Sequence, residues 1–138
     1  MKKAGNTSDF IEERNRELHR NFMEVLRTSR DVPLRDMFKL AASRRSSRFW
    51  VIEGRAAIVI GALMRTGRLP AQMIETRRRM FEEIFRRVQT KMAADPALCM
   101  THAVNAVIYE EAPEFYLTEE GAKSIIYGMR KQRKGKQS

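Results

Sequence analysis

The sequence predicts a mainly α-helical protein made by tandem duplication, each copy reading helix, helix, short strand, helix. Three observations carry that expectation. Apolar residues recur at helical spacing along most of the 138 residues, breaks rich in proline and glycine separate the helical stretches, and the chain matches itself when slid by 66 positions.

Ser8 or Asp9 caps a first helix running to about Arg30, with Ile11, Leu18, Phe22 and Leu26 on one face. Asp31, Val32 and Pro33 interrupt it. Pro33 suits the first turn of a second helix, which turns Leu34, Met37, Phe38 and Ala41 inward before the polar run from Ser43 to Ser47 ends it. Arg48, Phe49, Trp50 and Val51 form an aromatic and β-branched segment with strand character, and a third helix follows from Glu53 to Met64. After the break from Thr66 to Pro70, a fourth helix spans Pro70 to Ala94, with Met73, Ile74, Met80, Phe81, Ile84, Phe85, Val88 and Met92 in a near-heptad stripe. Asp95 and Pro96 start a fifth helix through Met100, Val104, Val107 and Ile108, which Pro113 stops. Glu114, Phe115, Tyr116 and Leu117 make a second strand candidate. Thr118 then caps a last helix through Ile125, Ile126 and Met129 into a basic tail.

The self-match extends to single residues. Phe49, Trp50 and Val51 fall on Phe115, Tyr116 and Leu117; Glu53, Ala56, Val59 and Ile60 fall on Glu119, Ala122, Ile125 and Ile126. Upstream, Leu18, Phe22, Leu26, Leu34 and Phe38 meet Ile84, Val88, Met92, Met100 and Val104. A lone short strand leaves its backbone groups without partners, and a second copy supplies them. The expected architecture is therefore one domain over residues 1–130, with repeats at about 8–65 and 74–130. Its strands at 48–51 and 115–117 pair as an antiparallel ribbon about a pseudo-twofold. Residues 131–138 are expected to be a disordered basic tail.

Composition narrows the function classes. Hydrophobic residues make up 43 % of the chain, which excludes wholesale disorder, and the net charge of +10 points to an anionic partner. Cys99 is the only cysteine, so no intrachain disulfide forms. The apolar stretch from Ala56 to Met64 is far short of the ~20 residues that cross a bilayer, and the acidic Asp9, Glu12 and Glu13 stand where a secretory signal needs apolar residues, so no membrane association and a cytoplasmic location are expected. Phosphate loops, nucleophile elbows and paired-histidine helices do not occur, so the expectation is a protein that is not an enzyme, with no cofactor, no metal and no small-molecule substrate. Cys99 and His102 have C-x-x-H spacing, but Cys99 lies among Leu98, Met100 and Ala103 and reads as a buried, inert thiol; His19 reads as solvated. Glu53 and Glu119 invite an acid-base reading and are explained more simply by the helix dipole in a first turn.

The positive charge is unevenly placed. Residues 1–69 hold 15 basic and 8 acidic side chains, and residues 70–138 hold 12 and 9. Arg44, Arg45 and Arg48 become Glu110, Glu111 and Glu114 at the matched positions. Interleaved with Ser43, Ser46, Ser47 and Trp50, the three arginines look like a phosphate-contacting loop. If Phe49 and Phe115 face the core, Trp50 and Tyr116 face away, to stack on a base, meet another protein or lie beneath a helix. Arg77, Arg78 and Arg79 form a second cluster, and Arg130, Lys131, Arg133, Lys134 and Lys136 a basic arm that attracts polyanions.

The order of strand 48–52, helix 53–65 and helix 70–94 is similar to that of ribbon-helix-helix DNA-binding proteins, and the resemblance implies paired strands entering a major groove. The second copy departs from it with Glu114 at the head of its strand and no long helix beyond Met129. The leading expectation is a non-enzymatic nucleic-acid-binding or accessory protein, DNA being favoured over RNA. The alternative is an assembly module that self-associates, as a homodimer for example, through its oppositely charged repeats.

Overall fold

Helical periodicity resolves into six helices: α1 (Thr7–Thr28), α2 (Leu34–Ser43), α3 (Glu53–Thr66), α4 (Glu75–Ala94), α5 (Met100–Ile108) and α6 (Glu119–Gln137). The computed structural model describes the backbone of residues 7–137 and the side chains of residues 10–131. The protein is mainly α, as the periodicity requires. α2 and α5 begin 66 residues apart, as do α3 and α6.

Local chemistry sets the ends. Gly67 closes α3 in the left-handed conformation (φ 72°), its N–H donating to Leu63 O at 2.8 Å, a cap that glycine adopts without a Cβ clash. Thr118 Oγ1 accepts the Gly121 N–H at 2.9 Å and caps α6 as its sequence position suggests. α4 starts at Glu75 rather than Pro70, because the Met73 N–H turns back to Pro70 O at 3.2 Å before helical geometry is established. α5 starts at Met100 rather than Asp95, whose carboxylate takes the Ala97 N–H (3.1 Å) and whose carbonyl takes the Leu98 N–H (3.0 Å) in a turn. α6 continues to Gln137 through the segment expected to be disordered, since lysine, arginine and glutamine are good helix formers and each added residue gains one backbone hydrogen bond.

The expected strands are absent from the described residues, and so is the ribbon. The Phe49 N–H donates to Ile108 O (2.9 Å), and the Val51 N–H folds back to Phe49 O (3.1 Å). Arg48 takes the remaining acceptors, Nε donating to Phe49 O (3.0 Å) and Nη2 to Val51 O (2.9 Å). Groups engaged in this way do not enter a strand ladder. The matched Phe115 N–H donates to Ala42 O, again at 2.9 Å, and only isolated bridge positions at Ser46 and Ala112 have β character.

The chain gathers into two units that cut across the expected repeats. One comprises Ser47–Ala112 with α3, α4 and α5; the other comprises Thr7–Ser46 and Pro113–Ser138 with α1, α2 and α6. In the first, Phe49, Ala56, Ile60, Phe81, Ile84, Val88, Val104 and Ile108 are buried. In the second, Leu18, Phe22, Phe38, Phe115, Ala122 and Ile126 are buried, with Phe22 stacked on Phe38 (centroids 4.9 Å apart, 9° between planes) and Tyr127 edge-on to Phe38 at 5.5 Å. Val88 and Val104, 66 residues beyond that stacked pair in the sequence, are buried in the other unit.

Candidate nucleic-acid interface

The arginines proposed as a single loop divide between the units and do different things. Arg48 lies in the α3–α5 unit with its guanidinium over the rings of Tyr109 (4.5 Å) and Trp50 (5.3 Å), while its nitrogens hold the two carbonyls described above. Those contacts engage Nε, Nη2 and the face of the guanidinium, so Arg48 acts as a clasp on the 48–51 turn. Trp50 is 5 % exposed and Tyr116 8 % exposed. Neither offers a ring to a base, which corrects the stacking role suggested for Trp50: its face is already taken by Arg48.

Arg44 and Arg45 are exposed at the end of α2 in the other unit. Arg44 has no carboxylate partner among the described residues. Two basic residues that sequence reasoning passed over extend this end: Arg35 and Lys39 lie one turn apart on the outer arc of α2, about 6 Å along the axis, both exposed and unpaired among the described residues. On a 3.6-residue wheel they flank the buried face (Met37, Phe38, Ala41 and Ala42), Arg35 at its edge beside Ala42 and Lys39 further round. Asp36 is on the same arc, in the first turn, where a carboxylate suits the helix dipole. At the matched positions stand Thr101 and Asn105 on α5 and Glu110 beyond its end, so α5 has no such basic arc.

Of the acidic counterparts, Glu110 is paired within its own unit. Glu110 accepts Arg87 Nη1 at 3.2 Å and Lys91 Nζ at 2.8 Å; Glu83 accepts Arg86 Nη2 (2.6 Å) and Arg87 Nε (2.7 Å). The hydrogen bond from Arg86, joined by that from Arg87, holds the Glu83 carboxyl below its ordinary range. Arg87 also donates to Glu111 O (2.9 Å) and lies over Phe49 at 5.0 Å.

The second basic cluster opens α4. Arg77 stacks over Phe81 at 5.7 Å, and burial together with the nearby charge of Arg55 lowers its affinity for its proton. Arg78 is anchored by its bond to Pro70 O (3.1 Å), and exposed Arg79 lies on the same turn. Arg130, within α6, lies over Phe22 at 5.5 Å, and Lys131 is exposed. Arg133, Lys134 and Lys136 have side chains outside the described residues.

Other candidates resolve plainly. Cys99 is exposed, not buried, because it occupies the N-cap position of α5, ahead of the inward face formed by Ala103, Val104 and Val107. His102 is also exposed, and no grouping of three metal-ligating side chains occurs among the described residues. His19 is half-buried. Glu53 accepts the Tyr109 hydroxyl at 2.7 Å, whereas Glu119 belongs to the other unit. No helix among the described residues is long and apolar enough to cross a membrane.

The chain matches no family model, and neither the curated proteins nor the solved structures contain a significant match.

Proposed function

We propose that the chain is a tandem duplication acting as a non-enzymatic nucleic-acid-binding or accessory protein, DNA being its favoured ligand, with the outer arc of α2 and the adjoining Arg44 and Arg45 as its principal backbone contact. The observation that carries this reading is the unpaired state of Arg35, Lys39 and Arg44 on one exposed stretch. A cation left without a carboxylate in a chain that holds 17 acidic residues is available to a phosphate, and its counterion release drives binding. Arg77, Arg78, Arg79, Arg130 and Lys131 add further cationic surface of the same sequence-independent kind. The duplication is supported by the matched helix starts and by the two hydrogen bonds from Phe49 and Phe115 to the ends of α5 and α2.

Self-association through opposite charges is the weaker reading, because Glu110 is already bound to Arg87 and Lys91. The test is duplex binding measured across a salt series with Arg35, Lys39 and Arg44 replaced by alanine. Each phosphate contact contributes about −0.9 to the slope of log affinity against log salt, so the slope should flatten by roughly 2 to 3 units. An unchanged slope removes α2 as the interface, and no binding by the native chain at low salt removes the function.

A further inference from the structure

An open cleft of about 560 Å³ lies within the Ser47–Ala112 unit, between the C-terminal end of α3, the loop that follows it and α4. Its apolar lining is Leu63, which is buried, with Leu69 and Phe85, both half-buried. Its charged lining is Arg68, Arg78 and Glu82. The loop is tied at both ends: the Arg68 N–H donates to Thr66 Oγ1 (3.1 Å), and Arg78 Nη2 donates to Pro70 O (3.1 Å). Pro70 follows Leu69 directly, so the second bond fixes the Arg78 guanidinium beside the wall of the cleft. Arg78 and Glu82 stand four residues apart on α4, a spacing at which opposite charges pair, yet Arg78 is turned to the Pro70 carbonyl instead. Neither arginine has a carboxylate partner among the described residues, and Arg78 keeps Nε and Nη1 for another acceptor.

We propose that this cleft binds a small monocarboxylate with an aliphatic or aryl body, as a ligand rather than a substrate. The carboxylate is held by the arginines, whose planar forks match it in bidentate pairs. The body displaces water from Leu63, Leu69 and Phe85, the same division of a largely apolar lining and a few placed polar groups that small-molecule sites of about 300–1,000 Å³ use. Glu82 sets the charge of the ligand. Two arginines and one glutamate leave the lining at a net +1, which one carboxylate balances and a phosphate dianion exceeds. A nucleic-acid backbone, moreover, has no apolar body to place against the two leucines and the phenylalanine.

The experiment titrates octanoate into the full chain and follows amide shifts in proton–nitrogen correlation spectra. Saturable shifts of Gly67, Leu69 and Ala71 are expected, with affinity rising roughly two- to fourfold for each methylene added from butanoate to octanoate. Arg68→Gln and Arg78→Gln should each weaken octanoate roughly tenfold. The Arg68 side chain is exposed and makes no bond among the described residues, so its variant gives the answer free of any disturbance from losing the Arg78 bond to Pro70. Leu69→Ser should weaken octanoate more than butanoate. Absence of saturable shifts at these amides, equal affinity for 1-octanol and octanoate, unchanged affinity in the Arg68 variant, or displacement of octanoate by an equal concentration of inorganic phosphate overturns the proposal. Replacing Arg35, Lys39 and Arg44 should leave octanoate affinity unchanged, so the duplex and carboxylate readings fail separately.

Discussion

Arg48 shows how one side chain decides the character of a segment. Its guanidinium closes the carbonyls of Phe49 and Val51 and packs against Tyr109 and Trp50, so the aromatic run becomes a turn under a cationic clasp instead of a strand. Arg48→Ala should lower unfolding free energy by about 2 kcal/mol, two charge-assisted bonds being lost from a half-buried place, as read by urea titration. The same variant should leave the salt dependence of duplex binding unchanged. The neighbouring Tyr109 has a phenol held above its ordinary value, first by its hydrogen bond to Glu53 and then by burial, against the opposing pull of Arg48. Ionising that phenol removes the donor and sets two anions side by side. The unfolded chain has no such bond, so its stabilisation is complete below about pH 10 and fades as pH rises through the folded-state value. Tyr109→Phe should abolish this part of the alkaline loss of stability, and ultraviolet titration of the phenolate should show one tyrosine ionising late in the native chain and absent in the variant.

At the scale of elements, caps and close approaches decide what the helices tolerate. Thr118→Ala removes the acceptor for the Gly121 N–H and should cost about 1 kcal/mol, read as a shift in the urea midpoint. Gly61 is different in kind. A Cβ there would sit 3.4 Å from Arg65 Nη1 and 3.7 Å from Met100 Cε, both at the ends of flexible side chains, and α3 has no unusual backbone conformation at that residue. Gly61→Ala should therefore stabilise the chain by up to about 1 kcal/mol, because alanine loses less entropy in a helix; thermal melts decide the sign. Tyr116 is the one described non-glycine residue with positive φ, at 56°, on the way into α6. Bulky residues rarely adopt that conformation, so the burial of its ring has to offset the backbone strain.

For the whole molecule, residues 66 positions apart in the sequence test the two units separately. Leu18 and Ile84 are both fully buried, 66 positions apart and in different units, and truncating either to alanine should cost about 2–5 kcal/mol. Equilibrium unfolding followed by circular dichroism and by Trp50 fluorescence reports both, since Trp50 lies in the unit that holds Ile84. Coincident transitions by the two signals in each variant would mean the units unfold together. Separated transitions in only one variant would show which unit yields first.

The sequence by itself determined which stretches are helical, most of their inward apolar positions, the Thr118 cap and the internal match, because periodicity and caps act over a few residues and are written locally; Leu34 and Ile74, read as part of the apolar faces, are instead 51 % and 56 % exposed. Burial of Leu18, Phe22, Phe38, Ile84, Val88 and Val104 follows from that pattern. Tertiary structure alone decided the rest. The 48–51 segment has strand composition, but its backbone partners are the carbonyl of Ile108 and the side chain of Arg48, which no local rule locates. The exposure of Cys99 depends on whether it falls before or within the first turn of α5. The arginines show the same division most sharply. Their number and their clustering were legible as charge, whereas the use of Arg48 as a clasp, and the freedom of Arg35, Lys39 and Arg44, depend on which carboxylates and carbonyls the fold brings within reach. Those distances are set across the fold, and composition carries no record of them.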